Sequence, residues 1–187
     1  MPKHDRPSTF FLRGRVTTDH TNQLRVGSEI DLGSYVNLGT RSPQLLRVHT
    51  IQVQVCDADG LVPSIDDPTG AETTINAFLN TAITTKETQL GTGDMPQLDD
   101  DSVMFTSSYT IVNQKVAGGS DQGVISGDLD IAPQHLVNGY LVGVDTLYLY
   151  ALGDNAFAEN VNVNFCLECS IEPADRENAI NLALSQA

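Results

Sequence analysis

The chain has no tryptophan and only eleven other aromatic residues in 187, so a sugar-binding surface built on a row of exposed aromatic rings is a poor fit. No apolar run reaches the roughly 18 residues needed to span a bilayer as a helix. The polar, basic stretch Met1 to Arg15 holds only a short Phe10-Phe11-Leu12 cluster, without the apolar centre of a secretion signal. Cysteine is scarce: Cys56, Cys166 and Cys169 cannot make the even disulfide framework of small secreted domains. Positive charge is scarcer still. Ten basic residues face 24 acidic ones, a net charge of −14, which disfavours a general nucleic-acid partner.

The kind of charge is informative too. Lys3, Lys86 and Lys115 are the only lysines, the other seven cations are arginines, and Asp outnumbers Glu by 17 to 7. Short, strongly hydrated carboxylates with few long ammonium stems suit a surface that stays soluble in multimolar salt, where repulsion is screened to about 3 Å at 1 M. The composition therefore reads as halophilic, with an ordinary acidic mesophilic domain as the alternative, and a halophilic fold should weaken as salt is withdrawn. With 40 % apolar residues and clear periodicity, the acid sits on a folded chain.

What is present is mostly strand texture: short alternating runs rich in Val, Ile, Thr and Tyr, broken by Gly, Asp, Asn and Pro. Thr9 to Thr17 leads through a turn at Thr18 to Asn22 into Gln23 to Leu32, whose Leu24, Val26, Ile30 and Leu32 share the core-facing parity. In Leu45 to Cys56, Ile51, Val53 and Val55 oppose Gln52, Gln54 and Cys56, and the Asp57-Ala58-Asp59-Gly60 turn ends the run. Ser102 to Val112 and Val124 to Ile131 flank a turn at Ala117 to Asp121. Val144 to Leu152 is apolar on both parities and should be central. Asn160 to Ile171 alternates throughout and stops at Pro173.

Two stretches break this pattern. Between Gly70 and Lys86, Ile75, Phe78, Leu79, Ala82 and Ile83 fall at helical spacing and predict an amphipathic helix, although the threonine-rich background leaves a strand as the alternative. Ala174 to Ala187 reads as a helical tail that must dock on the domain, with Ile180 and Leu184 four apart and Ala179 and Ala183 beside them. Gly91 to Asp101 reads as an exposed acidic loop. The expectation is an all-β, single eight-stranded jelly-roll sandwich or barrel with one or two short helices. It forms one domain over residues 1–187, with a basic N-terminal arm at about 1–8 and a tail at about 174–187.

No catalytic, cofactor-binding or metal-binding residue is assigned. His4, His20, His49 and His135 are scattered, without the His-x-His pair of a metal cupin, and His49 shares the parity of Ile51. Cys166-Leu167-Glu168-Cys169 has metal-knuckle spacing, but residues three apart on a strand point to opposite faces. The runs Asp57-Ala58-Asp59-Gly60, Asp66-Asp67 and Asp99-Asp100-Asp101 complete no twelve-residue calcium loop and read as solvated loops. Gly118-Gly119-Ser120-Asp121 lacks the strand-to-helix setting of a nucleophile elbow. The cysteines are three reduced thiols, or one of them links neighbouring subunits.

Size, halophilic composition and two segments carry a resemblance. The segments are His49-Thr50-Ile51-Gln52-Val53-Gln54-Val55-Cys56-Asp57-Ala58-Asp59-Gly60 and Asn160-Val161-Asn162-Val163-Asn164-Phe165-Cys166-Leu167-Glu168-Cys169. In these the chain resembles the smaller major capsid protein of the tailless icosahedral, internal-membrane viruses of halophilic archaea, a vertical single β-barrel family. The resemblance implies a structural capsid protein in the virion, made in the host cytoplasm and built into pseudo-hexameric capsomers. Its implied partners are further copies of itself and a larger related single-barrel protein, with no enzyme activity, nucleic acid, cofactor or small-molecule substrate. Lys3, Arg6, Arg13 and Arg15 at the N-terminus would face internal-membrane lipid or a neighbour's acidic flank, or stand as a solvated terminus. The competing reading is a non-catalytic or cupin-like ligand-binding β-sandwich protein of a halophile.

Overall fold

A computed structural model describes residues 8–19, 26–65, 72–82, 101–114, 122–153 and 157–186. The turns expected at Thr18 to Asn22 and Ala117 to Asp121 lie partly or wholly outside these, as do nearly all of the 91–101 loop, the 1–8 arm apart from Ser8, and His4, His20 and Asp66-Asp67.

Among the described residues alternation becomes nine strands: β1 (Phe10–Thr17), β2 (Val26–Asp31), β3 (Gln44–Cys56), β4 (Glu72–Asn80), β5 (Val103–Gln114), β6 (Gln122–Ile131), β7 (Tyr140–Val142), β8 (Thr146–Leu152) and β9 (Asn162–Pro173). A four-stranded sheet runs β1-β9-β3-β7 and a five-stranded sheet β2-β8-β4-β5-β6, and every pairing is antiparallel. The pairs β4–β5, β3–β7, β2–β8 and β1–β9 nest one inside the next. Such nesting is a long hairpin rolled up on itself, which is the jelly roll. β6 is a ninth strand, folded back on β5 at the sheet edge. β7, at three residues, is too short to carry a sequence pattern of its own.

The two sheets close on one core. Leu12 and Val16 of β1, Ile51 and Val55 of β3 and Val163, Phe165 and Leu167 of β9 meet Ile75, Ala77 and Leu79 of β4, Phe105 and Ile111 of β5 and Leu147, Leu149 and Ala151 of β8. Phe105 and Phe165, one from each sheet, pack edge to face with centroids 6.2 Å apart. Gly14 of β1 leaves room for side chains of the opposite sheet: a Cβ there would stand 2.3 Å from Leu149 Cδ1.

The helix expected over Gly70 to Lys86 is instead β4, a correction within the described part of that stretch. The apparent helical spacing arises because β4 is buried on both sides. Ile75 and Leu79 face the core, while Phe78, on the opposite parity, is fully buried beside Tyr150, 6.3 Å between ring centroids. Thr73, Thr74 and Ile75 are β-branched and stiff at χ1, which favours the strand. β8 lies between β2 and β4, an interior position as its two-sided apolarity implies, but the centre of the sheet that the sequence pattern predicts for it is taken by β4.

Two further details differ from the sequence pattern. A β-bulge at β3 between Val48 and Thr50 switches parity, so Leu46 and Val48 face inward before it and Ile51 and Val55 after it. The tail is helical, α1 (Arg176–Ser185), but Ile180 and Leu184 are exposed, and it docks through Ala179, Leu182 and Gln186. The buried Gln186 side chain accepts from Gly143 N–H at 2.8 Å and donates to the Leu141 carbonyl at 2.7 Å. Its own carbonyl accepts from Thr81 Oγ1 at 3.1 Å.

Candidate interaction face

Strict alternation on β1, β3 and β9 sends one set of side chains into the core and the other onto the outer face of the four-stranded sheet. The strand register arranges the outward set in rows: Thr17, Asn162 and Cys56; Arg15, Asn164 and Gln54; Arg13, Cys166 and Gln52; Phe11, Glu168 and Thr50. The rows are tied sideways. Arg15 Nε donates to Asn164 Oδ1 at 2.8 Å, Thr17 Oγ1 to Asn162 Oδ1 at 2.8 Å, and Asn164 Nδ2 to Cys56 Sγ at 3.3 Å. Arg13 lies over the Phe11 ring, 5.9 Å from its centroid. The middle rows line an open groove of about 780 Å³.

Arg13 and Arg15 thus belong to a strand and not to an N-terminal arm. Among the described residues no carboxylate pairs with either, and the groove lining contains none. The Nε bond to Asn164 fixes the plane of the Arg15 fork and leaves its terminal N–H groups as donors. This is a polar face carrying two oriented cations in a chain of net charge −14.

At the other end of the same sheet Arg47 pairs with Glu172 through Nε and, at 2.6 Å, through Nη2, while Nη1 donates to the Asn138 carbonyl at 2.6 Å. Hydrogen bonding to the guanidinium holds the Glu172 carboxyl below its ordinary value, burial opposing, and the same bond raises Arg47. His49, at the bulge, is half-buried, and its Nε2 lies 2.8 Å from Ser170 Oγ. His135 is exposed in a 3-10 turn, Pro133–His135.

The cysteines fall as strand geometry dictates, with one exception. Cys166 lines the groove and Cys169 points into the core, where burial, with Cys166 and Glu168 adding, pushes its thiol up to about 12. Cys56, on the polar parity, is nonetheless buried, covered where β3 ends beside Asn164. Asp57 is buried rather than solvated. Its Oδ1 accepts from the N–H groups of Asp59, at 2.9 Å, and Leu61, at 2.8 Å, and Gly60 takes a φ of +85° to close the turn. Nothing in the sequence beyond β1's parity marked the Arg13 and Arg15 groove, since its other walls come from strands about 40 and 150 residues away.

No protein-family model matches the sequence, and neither does any curated protein. Solved structures similar to it include VP1 of Trichodysplasia spinulosa-associated polyomavirus, at 9 % identity and a TM-score of 0.40 over 94 % of this chain and 98 % of that one. Apo New Jersey Polyomavirus VP1 matches at 9 % identity and a TM-score of 0.40, over 90 % of this chain and 100 % of that one. Merkel cell polyomavirus VP1 in complex with GD1a oligosaccharide matches at 8 % and 0.38, over 88 % of this chain and 96 % of that one. At such identities and scores these likenesses carry no functional argument, and the jelly-roll assignment rests on the strand pairing itself.

Proposed function

We propose that the chain is a structural viral capsid protein, a building block of pseudo-hexameric capsomers in an icosahedral shell over an internal membrane. Its partners in this reading are further copies of itself and a larger related single-barrel protein. It is made in the host cytoplasm, resides in the virion, and turns its N-terminal arm toward membrane lipid.

The observation that supports this best is the nested strand pairing, a complete jelly roll within one chain. A double-barrel capsid subunit carries two such units, so sixfold-like packing of single barrels must come from several chains meeting side by side. The four-stranded sheet offers a broad outer face for that purpose, and the two segments that carry the capsid resemblance pair with each other there as β3 and β9. The acidic composition fits a particle that lives in concentrated salt.

The test is electrophoresis and mass spectrometry of particles purified from the natural source, with negative-stain microscopy of the same fractions. The expected result is an abundant band co-purifying with icosahedral particles beside a larger related chain. Absence from particles, with the protein recovered from cell extract as a soluble species, overturns the proposal. That outcome would favour the second reading, a ligand-binding β-sandwich protein of a halophile, for which the open groove lined by amide and guanidinium donors speaks.

A further inference from the structure

The cations of β1, which pair with no carboxylate among the described residues, have a counterpart on the same molecule. β2 is the edge strand of the five-stranded sheet, and its Glu29 and Asp31 are exposed and share one parity, facing away from the core. Asp31 Oδ1 accepts from Gly33 N–H at 2.8 Å, leaving Oδ2 as an acceptor, and among the described residues no cation pairs with either carboxylate. Arg13 and Arg15 are likewise two apart on an edge strand, β1, so each pair spans about 6.7 Å along its strand.

We infer that the Arg13 and Arg15 groove of one copy receives the Glu29 and Asp31 edge of a second copy of this chain. Four features support that occupant. The spacing of the two pairs is equal, and their charges are opposite. Asn164 and Phe11 hold the two guanidinium groups in place before any partner arrives. In concentrated salt, where the Debye length is about 3 Å, only cations that touch their partners retain much attraction, and paired Arg–carboxylate forks do so with added geometric specificity.

The two patches lie on different faces of the molecule, so the contact is heterologous. Each copy gives its β2 edge to one neighbour and its groove to another, and repetition closes a ring when the rotation allows. Exposed pairs contribute little individually, so the main consequence is register and exclusion of wrong neighbours, because like charges brought together are strongly unfavourable. The inference rests on reading the chain as an assembling subunit. Its test needs no particle, so the two can fail separately.

The full chain and two charge reversals, Arg13→Glu with Arg15→Glu and Glu29→Arg with Asp31→Arg, are compared by sedimentation in potassium chloride of about 1 M or more. Far-UV circular dichroism establishes that each is folded, and Arg13→Gln with Arg15→Gln stands in if the reversal is not. Each reversed protein alone should self-associate at least about tenfold more weakly than the wild type. An equimolar mixture of the two should associate again, since every groove then meets a complementary edge. The inference is overturned if the wild type stays monomeric up to about 1 mM, or if reversal leaves association unchanged. It is overturned equally if the mixture associates no better than its components, or if only the groove reversal, and not the β2 reversal, weakens self-association, which would make another acidic segment the occupant of the groove.

Discussion

The two sheets of this jelly roll solve the same burial problem differently. In β9, Val163, Phe165, Leu167 and Cys169 are buried, while Asn162, Asn164, Cys166 and Glu168 between them are half-exposed on an uncovered face. In β4 the distinction vanishes: Ile75, Ala77 and Leu79 are buried toward the core, and Phe78 and Asn80 are buried on the other side. One sheet is a wall with a wet face, and the other is covered on both sides at its centre. A period of two survives in sequence only where one face meets water.

The largest test of this contrast is a pair of phenylalanines, both on outward parity. Phe78→Ala, at a fully buried site in the five-stranded sheet, should cost about 3–5 kcal/mol by denaturant unfolding. Phe11→Ala, at a position 56 % exposed on the four-stranded sheet, should cost about 1 kcal/mol or less, most of it the contact with Arg13. Equal costs would remove the distinction between a covered and an open face.

How far the sequence could be read follows the same line. The four-stranded sheet was legible in β1, β3 and β9, down to the divergence of Cys166 from Cys169. β4 was not, because Ile75, Phe78 and Leu79, taken from both faces of one strand, mimic a helical stripe. His49 was placed on the parity of Ile51 because a bulge adds a residue without any local signature. Exposed Ile180 and Leu184 misdirect attention from Gln186, a polar residue that anchors the tail by bonding to the chain around β7. The Arg13 and Arg15 groove depends on which strands become neighbours, and that is set by the rolled topology rather than by any one segment.

Where the sheets meet, Gly14→Ala measures how tightly the two are pressed together. Its Cβ would come 2.3 Å from Leu149 Cδ1 and 3.1 Å from Ile30 Cδ1, both in fully or nearly fully buried side chains with little room to retreat. Overpacking of this kind should cost about 1–3 kcal/mol. An unchanged midpoint in thermal or denaturant unfolding would mean that the sheets can separate at this level without loss.

Gln186→Ala probes a tie that reaches both sheets, since Gln186 bonds to Leu141 and Gly143 at β7 and to Thr81 just beyond β4. The substitution keeps the Thr81 bond to the main chain but strands the buried Gly143 N–H and the part-buried Leu141 carbonyl. A loss of about 1–2 kcal/mol is expected. Hydrogen exchange should show faster opening at the Gly143 amide and along α1, with the centre of β9 unaffected. Uniform acceleration everywhere would make the tie part of global unfolding rather than a local latch.

The smallest effect belongs to the uncovered sheet and depends on pH. Glu172 is bonded to Arg47, and that bond lowers its folded pKa from the ordinary 4.5. A carboxyl with a lowered folded pKa binds protons more readily in the unfolded chain. Its contribution is therefore fully present above the unfolded value and disappears as pH falls through the folded one. Both partners are partly exposed, which screens the pair, so Glu172→Gln should cost about 0.5–1 kcal/mol near neutrality, or about 1–4 °C in melting temperature. The gap between wild type and variant should hold from neutrality down to about pH 5, then narrow as the solution becomes more acidic than the ordinary carboxylate value. A gap that widens in acid would reverse the sign and show that Glu172 is stabilised in its protonated form.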